Sequence, residues 1–155
     1  FEEKFATRHL ELVSSLPKNP VLIRADGRRL WRILENLYNN AYKYAMQNSR
    51  IYVDVAQRDG KAIFTIKNVS ENPLNISADE LTERFVRGDV ARTTEGSGLG
   101  LSIAQSLTKL QNGTFTLSID GDLFKAEVAF PVKWTTLEEY EEQEQREEET
   151  AAEAE

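Results

Sequence analysis

Apolar residues recur at helical spacing in two long stretches of the chain. The first stretch begins after Asp26, a residue type that caps helices, and continues to about Met46. Its apolar face consists of Leu30, Ile33, Leu34, Leu37 and Ala41. The second stretch predicts a helix from about Leu99 to Leu110, and a shorter helix is predicted at 77–84. We therefore expect two long helices that each bury one face.

Alternating apolar and polar positions predict two β-hairpins between and after these helices. The first hairpin covers residues 51–66 and turns at Asp59-Gly60, a dipeptide that favours tight hairpin turns. The second hairpin covers residues 113–130 and turns at Gly121. Consecutive hairpins indicate a largely antiparallel sheet.

Two short segments precede the first long helix. Residues 21–23 predict a short strand, and residues 1–16 predict a short helix or a segment at the edge of the sheet, ended by Pro17. Together these elements predict an α+β fold. It is a two-layer α/β sandwich, with a mixed and mostly antiparallel sheet covered on one face by helices.

The composition narrows the class of protein. In 155 residues, 40% are hydrophobic, which is sufficient for a packed core. The chain has no Cys and a single His, so neither disulfides nor a zinc site of the usual kind can form. It also has no apolar run of membrane-spanning length and no signal-peptide pattern.

The charge is concentrated at the C-terminal end. Residues 134–155 contain ten Glu and one Arg and so carry a charge of −9, which leaves +2 of the net charge of −7 for residues 1–133. Such a segment is typical of a solvated helix or a disordered tail. We therefore divide the chain into a domain at 1–133 and an acidic C-terminal helix or tail at 134–155.

Glycines stand at alternate positions before the second long helix, at Gly96, Gly98 and Gly100. The segment has no Lys and does not follow a strand, so it matches neither a Walker loop nor a dinucleotide-binding loop. The free N–H groups at the start of the helix would attract an anion such as phosphate. A hinge or close backbone packing explains the glycines equally well.

The first long helix carries three Asn within five positions, although Asn lowers helix propensity. Asn36 and Asn40 are four residues apart and Lys43 is three further on, so the three side chains share a face. A carboxamide oxygen can be one of the few protein ligands of a phosphate-bound Mg²⁺, and Lys neutralises phosphate charge. For Asn39 and Tyr42, a solvated face is an equally good explanation.

Three motifs in this order resemble those of sensor histidine kinases. The sequence N-L-Y-N-N-A-Y-K-Y at 36–44 resembles their asparagine box, L-T-E-R-F-V-R-G-D at 81–89 resembles their phenylalanine box, and G-S-G-L-G-L-S-I at 96–103 resembles their second glycine box. The segment D-G-R-R-L at 26–30 also resembles the lead-in to the asparagine box. The resemblance covers roughly residues 20–131.

The resemblance implies the Bergerat ATP-binding fold of the GHKL superfamily, with ATP and Mg²⁺ as cofactors. It makes Asn40 the Mg²⁺ ligand, Asn36 a residue that positions the metal or the γ-phosphate, and Lys43 a contact of the phosphates. It also implies that Tyr44 packs near the nucleotide.

The other two motifs supply the remaining residues that the resemblance implies. Phe85 would anchor a mobile lid, and Arg87 would reach the γ-phosphate, where a cation stabilises the transferred group. Asn36, Lys43 and Arg87 are therefore the catalytic candidates. The loop that would cradle the phosphates comprises Gly96, Ser97, Gly98, Leu99, Gly100 and Leu101.

The chain departs from the family at the first glycine box, D-x-G-x-G. Asn68 stands where the family has the Asp that accepts a hydrogen bond from the adenine amino group, and both glycines are missing. A neutral amide oxygen accepts a weaker bond than a carboxylate does. Asn36 also stands where related ATPases have a Glu that activates water, so we expect slow hydrolysis.

The function that the resemblance implies is transfer of the ATP γ-phosphate to a His on a dimerization hairpin, for relay to a response regulator. His9, the single His, lies in a segment too short for that hairpin. We therefore expect this chain to bind ATP as a monomer without phosphorylating itself. We expect a cytoplasmic domain of a membrane-bound kinase, with no nucleic acid among its partners.

Two alternatives remain at this point. One is a stand-alone serine kinase of the anti-sigma-factor type, which shares the same motifs. The other is a degenerate interaction module that lost ATP binding together with the first glycine box. The retained Asn40, Lys43 and Arg87 speak against the degenerate module.

Overall fold

The computed structural model describes residues 1–18, 21–23, 25–72, 99–134 and 137–154. The predicted helix at 77–84 lies outside these residues. The elements in chain order are α1 (Glu2–Ala6), β1 (Glu11–Ser15), β2 (Leu22–Ile23), α2 (Gly27–Tyr44), β3 (Arg50–Arg58), β4 (Lys61–Val69), α3 (Leu99–Leu110), β5 (Thr114–Asp120), β6 (Leu123–Trp134) and α4 (Leu137–Glu153).

The strands form one six-stranded sheet in the described part of the chain. β1 lies at one edge, followed by β3, β4 and β6, and both β5 and β2 pair with β6. β1 runs parallel to β3, and the other pairs are antiparallel. The predicted fold class, a mixed and mostly antiparallel sheet with helices on one face, is confirmed.

Both predicted hairpins are present. The first connects β3 to β4 through Asp59 and Gly60, whose φ angles of 52° and 72° are those of a type I′ turn. The second connects β5 to β6, with Gly121 at φ 59°. Asp at a left-handed position is tolerated because its short polar side chain fits that backbone conformation.

Helix α2 begins as predicted and ends two residues earlier than predicted. The Asp26 carboxylate caps it, accepting hydrogen bonds from the backbone N–H groups of Arg28 (2.9 Å) and Arg29 (3.2 Å). The helix ends at Tyr44 because Ala45 becomes extended and forms a β-bridge with Ser70. The spacing of apolar residues along the helix does not predict that Ala45 pairs with Ser70.

The N-terminal segment contains both structures that its sequence left open. Helix α1 ends at Ala6, His9 adopts a left-handed φ of 55°, and the chain then forms the edge strand β1. Residues 1–16 therefore do not form one continuous helix. Phe5 and Leu10 are buried in the common core, whereas the His9 side chain is exposed.

Helices α2 and α3 pack antiparallel on one face of the sheet. At one end of the pair, the Gln111 side-chain oxygen accepts a hydrogen bond of 2.7 Å from the backbone N–H of Asp26. At the other end, Gly100 in the first turn of α3 lies against Asn36 in the middle of α2. α3 is the shorter helix, with 12 residues against 18, so the C-terminal half of α2 extends past the N-terminus of α3.

A Schellman turn ends α3 and directs the chain into β5. The N–H of Gly113 donates to the carbonyl of Thr108 (2.9 Å), the N–H of Asn112 donates to the carbonyl of Lys109 (3.1 Å), and Asn112 has a φ of 63°. This turn holds the C-terminus of α3 against β6.

The acidic C-terminal segment is helical in α4. Its side chains at 141–154 are nearly all exposed, and the Arg146 guanidinium lies 3.6 Å from the Glu142 carboxylate one turn before it. An exposed pair of this kind contributes little to stability. At residues 141–154, the helix therefore presents a solvated and negatively charged surface.

We predict that Gly113→Ala destabilises the fold. A Cβ at Gly113 would lie 2.7 Å from a ring carbon of Phe130, 2.8 Å from the Thr108 methyl and 3.0 Å from the carbonyl oxygen of Ala129. Such overpacking costs about 1–3 kcal/mol of unfolding free energy, measurable by urea denaturation. Gly27→Ala is the matched control, because nothing lies within 4 Å of its added Cβ. Equal stability of the two variants would contradict the predicted clash.

Candidate nucleotide site

The predicted Asn and Lys side chains lie on one flank of α2. Asn36, Asn40 and Lys43 are spaced one turn apart on a continuous helix, and all three are partly buried. This flank adjoins the buried face formed by Leu37 and Ala41. The structure therefore brings the three residues together, as their spacing predicts.

The start of α3 meets this flank at Asn36. A Cβ on Gly100 would lie 3.4 Å from the Asn36 side-chain oxygen, so the two helices approach closely here. The Nδ2 of Asn36 is buried and has no hydrogen-bond partner within the described residues. The Asn36 side chain therefore lies beside the first turn of α3, with its oxygen as the atom nearest to Gly100 and with a buried amide donor besides.

The N-terminus of α3 favours an anion at this point. The first N–H groups of a helix have no intrahelical partner, and the helix dipole places partial positive charge there. The Lys43 ammonium lies on the flank of α2 that extends past this terminus, with its Nζ 5.2 Å from the centre of the Tyr44 ring. A helix terminus, a buried amide donor and a cation together suit the phosphates of a nucleotide.

Asn68 lies on the sheet, on the face that the helices cover. It pairs with Ile51 of β3 and Phe124 of β6, and it is two residues from the buried Ile66 on the same face. Asn68 is 2% exposed, and its Nδ2 also lacks a hydrogen-bond partner in the part of the chain that the structure describes. A second buried donor is thus directed into the layer between sheet and helices.

Backbone hydrogen bonds place Asn68 at the same end of the domain as Asn40. The end of β4 is joined to the end of α2, because the N–H of Met46 donates to the carbonyl of Val69 (2.8 Å) and the N–H of Glu71 donates to the carbonyl of Tyr44 (2.9 Å). Asn68 is therefore next to the last turns of α2. The N-terminus of α3 points towards this end of α2 as well.

Contacts on the opposite flank of α2 distinguish Asn40 from its neighbour Asn39. The Lys4 ammonium donates a 2.8 Å hydrogen bond to the Asn39 side-chain oxygen and lies 4.7 Å from the centre of the Tyr42 ring. Asn39 is thereby engaged by α1. Asn40, one residue later, lies on the same flank of α2 as Asn36 and Lys43, which agrees with the predicted shared face.

Arg8 is a positioning residue that the sequence did not reveal. Its guanidinium donates to the carbonyls of Tyr42 and Ala45 (3.0 Å to the latter) and lies 3.3 Å from the Glu71 carboxylate. These groups belong to the end of α2 and to the chain that follows β4. Arg8 therefore caps α2 with a cation and fixes the helix to the sheet beside the site. No local motif signals this contact, because Arg8 is more than 30 residues from its carbonyl partners.

The remaining predicted residues divide into two groups. Phe85, Arg87, Gly96, Ser97 and Gly98 lie outside the described residues. Leu99 begins α3, and Leu101 is buried with 3% exposure, so its side chain is part of the core and its backbone N–H is the group that could meet a ligand.

The donor set fits a magnesium ion that is bound mainly through phosphate and water. Within the described ranges, no three His, Cys, Asp or Glu side chains are grouped as a metal cage. Mg²⁺ in nucleotide sites needs one or two protein oxygens, and the carboxamide of Asn40 can supply one.

Comparison with known proteins identifies the family of the domain. The profile described as "Histidine kinase-, DNA gyrase B-, and HSP90-like ATPase" matches residues 25–147. The signal transduction histidine-protein kinase BaeS of Escherichia coli is 32% identical over 115 residues, which are 73% of this chain and 24% of BaeS. The heme sensor protein HssS of Staphylococcus epidermidis is 32% identical over 121 residues, which are 76% of this chain and 26% of HssS.

Solved structures show the same fold. The catalytic domain of histidine kinase ThkA superposes with a TM-score of 0.73 at 22% identity and covers 85% of each chain. Full-length ShkA in complex with AMPPNP superposes with a TM-score of 0.68 at 22% identity, over 84% of this chain and 27% of ShkA.

The family profile and the sensor kinase relatives together identify an ATP-binding catalytic domain. The chain belongs to the histidine kinase-, DNA gyrase B- and HSP90-like ATPase family, and the predicted resemblance to sensor histidine kinases is confirmed. It spans about a quarter of the length of the sensor kinases it matches. Among the helices that the structure describes, none is both long and apolar enough to cross a membrane.

We predict that Arg8→Met lowers the unfolding free energy by about 1.5–3 kcal/mol, the range for hydrogen bonds from a charged group. The Met side chain retains the apolar stem of Arg8 but leaves the carbonyls of Tyr42 and Ala45 without their donor. Arg50→Met is the control, because the ion pair of Arg50 with Glu11 is exposed. Chemical denaturation should show a clear loss for Arg8→Met and none for Arg50→Met. Equal stabilities would refute the capping role of Arg8.

Proposed function

We propose that the chain binds Mg²⁺-ATP and presents the γ-phosphate for transfer to a His of its parent protein. The observation that carries this proposal is the position of Asn36 beside the first turn of α3, with a buried Nδ2 that has no hydrogen-bond partner among the described residues. The relatives named as sensor histidine kinases support the transfer reaction. The complex of ShkA with AMPPNP, an ATP analogue, supports the nucleotide.

Each described residue of the site has a role that follows from its position. Asn40 supplies an oxygen to the metal, Asn36 donates from Nδ2 to a phosphate oxygen, and Lys43 neutralises phosphate charge. The first N–H groups of α3, near Gly100, bind the phosphates without obstruction by a side chain. When bound, Mg²⁺ supplies positive charge that offsets the phosphate charge.

Water is a poor competitor for the γ-phosphate in this arrangement. Asn36 cannot act as a general base, because its carboxamide does not accept a proton at neutral pH. The nearest carboxylate in sequence, Glu35, is exposed, because a one-residue step on a helix turns it by about 100° from Asn36. The γ-phosphate is therefore preserved for transfer to the protein acceptor, and we propose slow ATP hydrolysis.

The acceptor and the later partners belong to the parent protein. We propose that residues 1–133 form the catalytic domain, monomeric by itself, and that the acceptor His lies on a dimerization hairpin elsewhere in the parent. A response regulator then receives the phosphoryl group. We place the domain on the cytoplasmic side of a membrane-bound sensor, because its relatives are sensor kinases. His9 is exposed in a left-handed turn and is not proposed as an acceptor.

We predict that Asn40→Ala abolishes the magnesium dependence of ATP binding. Loss of a metal ligand should raise the Kd for Mg²⁺-ATP at least about tenfold, which corresponds to one charge-assisted contact. Titration calorimetry with ATP, with and without Mg²⁺, measures the effect. Asn39→Ala is the matched control, because Asn39 bonds to Lys4 on the opposite flank.

The control separates the metal ligand from its neighbour in sequence. Asn39→Ala should bind Mg²⁺-ATP as the unchanged chain does, with the fold checked by circular dichroism. Magnesium-dependent binding retained by Asn40→Ala, or lost in Asn39→Ala, would contradict the proposed metal ligand.

We further predict that Arg87→Ala leaves ATP affinity nearly unchanged but slows phosphoryl transfer about 10²–10³-fold, because a cation that stabilises the transition state is lost. Transfer is measured with the dimerization hairpin of the parent kinase. Arg84→Ala, three residues earlier in the same motif, is the control and should transfer at the normal rate. An unchanged rate in Arg87→Ala would remove Arg87 from the catalytic set.

A further inference from the structure

Asn68 offers a buried amide donor that no other described residue uses. Asn68 is only 2% exposed, and its Nδ2 has no hydrogen-bond partner among the described residues. An unpaired buried donor is costly and therefore calls for a ligand with a matching acceptor. A carboxamide differs from a carboxylate at this position because it carries a donor as well as an acceptor.

The surroundings of Asn68 suit a purine base better than a phosphate. Ile51 and Phe124 flank it on the two neighbouring strands, and both are buried and apolar. A charged phosphate in such surroundings would lose its hydration, whereas a flat ring gains from apolar contact. The positive terminus of α3 and the Lys43 ammonium attract the phosphates instead.

We propose that Asn68 allows the site to bind 6-oxopurine nucleotides, of which GTP is the common cellular example, in addition to ATP. This inference rests on the proposed function, because it assumes that a nucleotide occupies the site. In this proposal, Asn68 is the residue that determines which purine bases the site binds.

The inference follows from the two hydrogen-bonding patterns at the C6–N1 edge of a purine. Adenine has an amino donor at C6 and an acceptor at N1, so the Asn68 oxygen accepts from the former and Nδ2 donates to the latter. A 6-oxopurine has a carbonyl acceptor at C6 and a donor at N1. Rotating the carboxamide by half a turn exchanges its oxygen and nitrogen, and both hydrogen bonds form again. An Asp carboxylate at this position has no N–H to donate to the C6 carbonyl, and its negative oxygens repel the carbonyl oxygen.

The experiment compares ATP with ITP, whose base is a 6-oxopurine without the 2-amino group of guanine. Titration calorimetry in the presence of Mg²⁺ gives the two Kd values for the unchanged chain and for Asn68→Asp. We expect the two Kd values of the unchanged chain to differ by less than tenfold. Asn68→Asp should raise the ratio of the ITP Kd to the ATP Kd at least about tenfold, the discrimination of one well-placed pair of hydrogen bonds.

The outcomes separate this inference from the proposed function. Magnesium-dependent ATP binding with ITP weaker by more than tenfold in the unchanged chain would overturn the inference and leave the proposed function standing. A Kd ratio unaffected by Asn68→Asp would also overturn it, because Asn68 would then not contact the base. Failure of both nucleotides to bind the unchanged chain would overturn the proposed function and the inference with it.

Discussion

The antiparallel packing of α3 on α2 creates the place where we propose that a nucleotide binds. Gln111 holds one end of the pair at Asp26, and Gly100 lets the other end of α3 approach Asn36. The length difference between the helices then places the N-terminus of α3 beside the middle of α2. A helix terminus, with its partial positive charge, thereby meets the polar flank that continues to Lys43.

The buried polar groups of the core fall into two kinds. Thr108 is fully buried, and its hydroxyl donates to the carbonyl of Ala104 at 2.6 Å, so its polar group is satisfied within the fold. Asn36 and Asn68 each bury an Nδ2 that has no such partner in the described chain. An unsatisfied buried donor costs about 1–3 kcal/mol. The fold carries this cost where the two amides face the proposed ligand, as is common at functional sites.

Periodicity was sufficient to predict the elements whose residues contact each other locally. The bounds of α3 and the turn at Asp59-Gly60 follow from spacing and turn chemistry. The parallel pairing of β1 and the Arg8 cap did not follow, because each depends on partners more than 30 residues away. The site shows the same division: Asn36 and Asn40 were predicted from one helix, whereas the Lys4 contact that separates Asn39 from Asn40 required the tertiary structure.

The proposed base end and the proposed phosphate end of the site are built from different elements. The position of Asn68 depends on the register of β4 with β3 and β6, whereas Asn36, Asn40 and Lys43 depend on α2 and its packing on α3. A change of side chain on β4 therefore leaves the phosphate end intact. A chain without the first glycine box can therefore keep a complete asparagine helix, because the residues proposed to bind phosphate and metal lie on other elements than the residue proposed to contact the base.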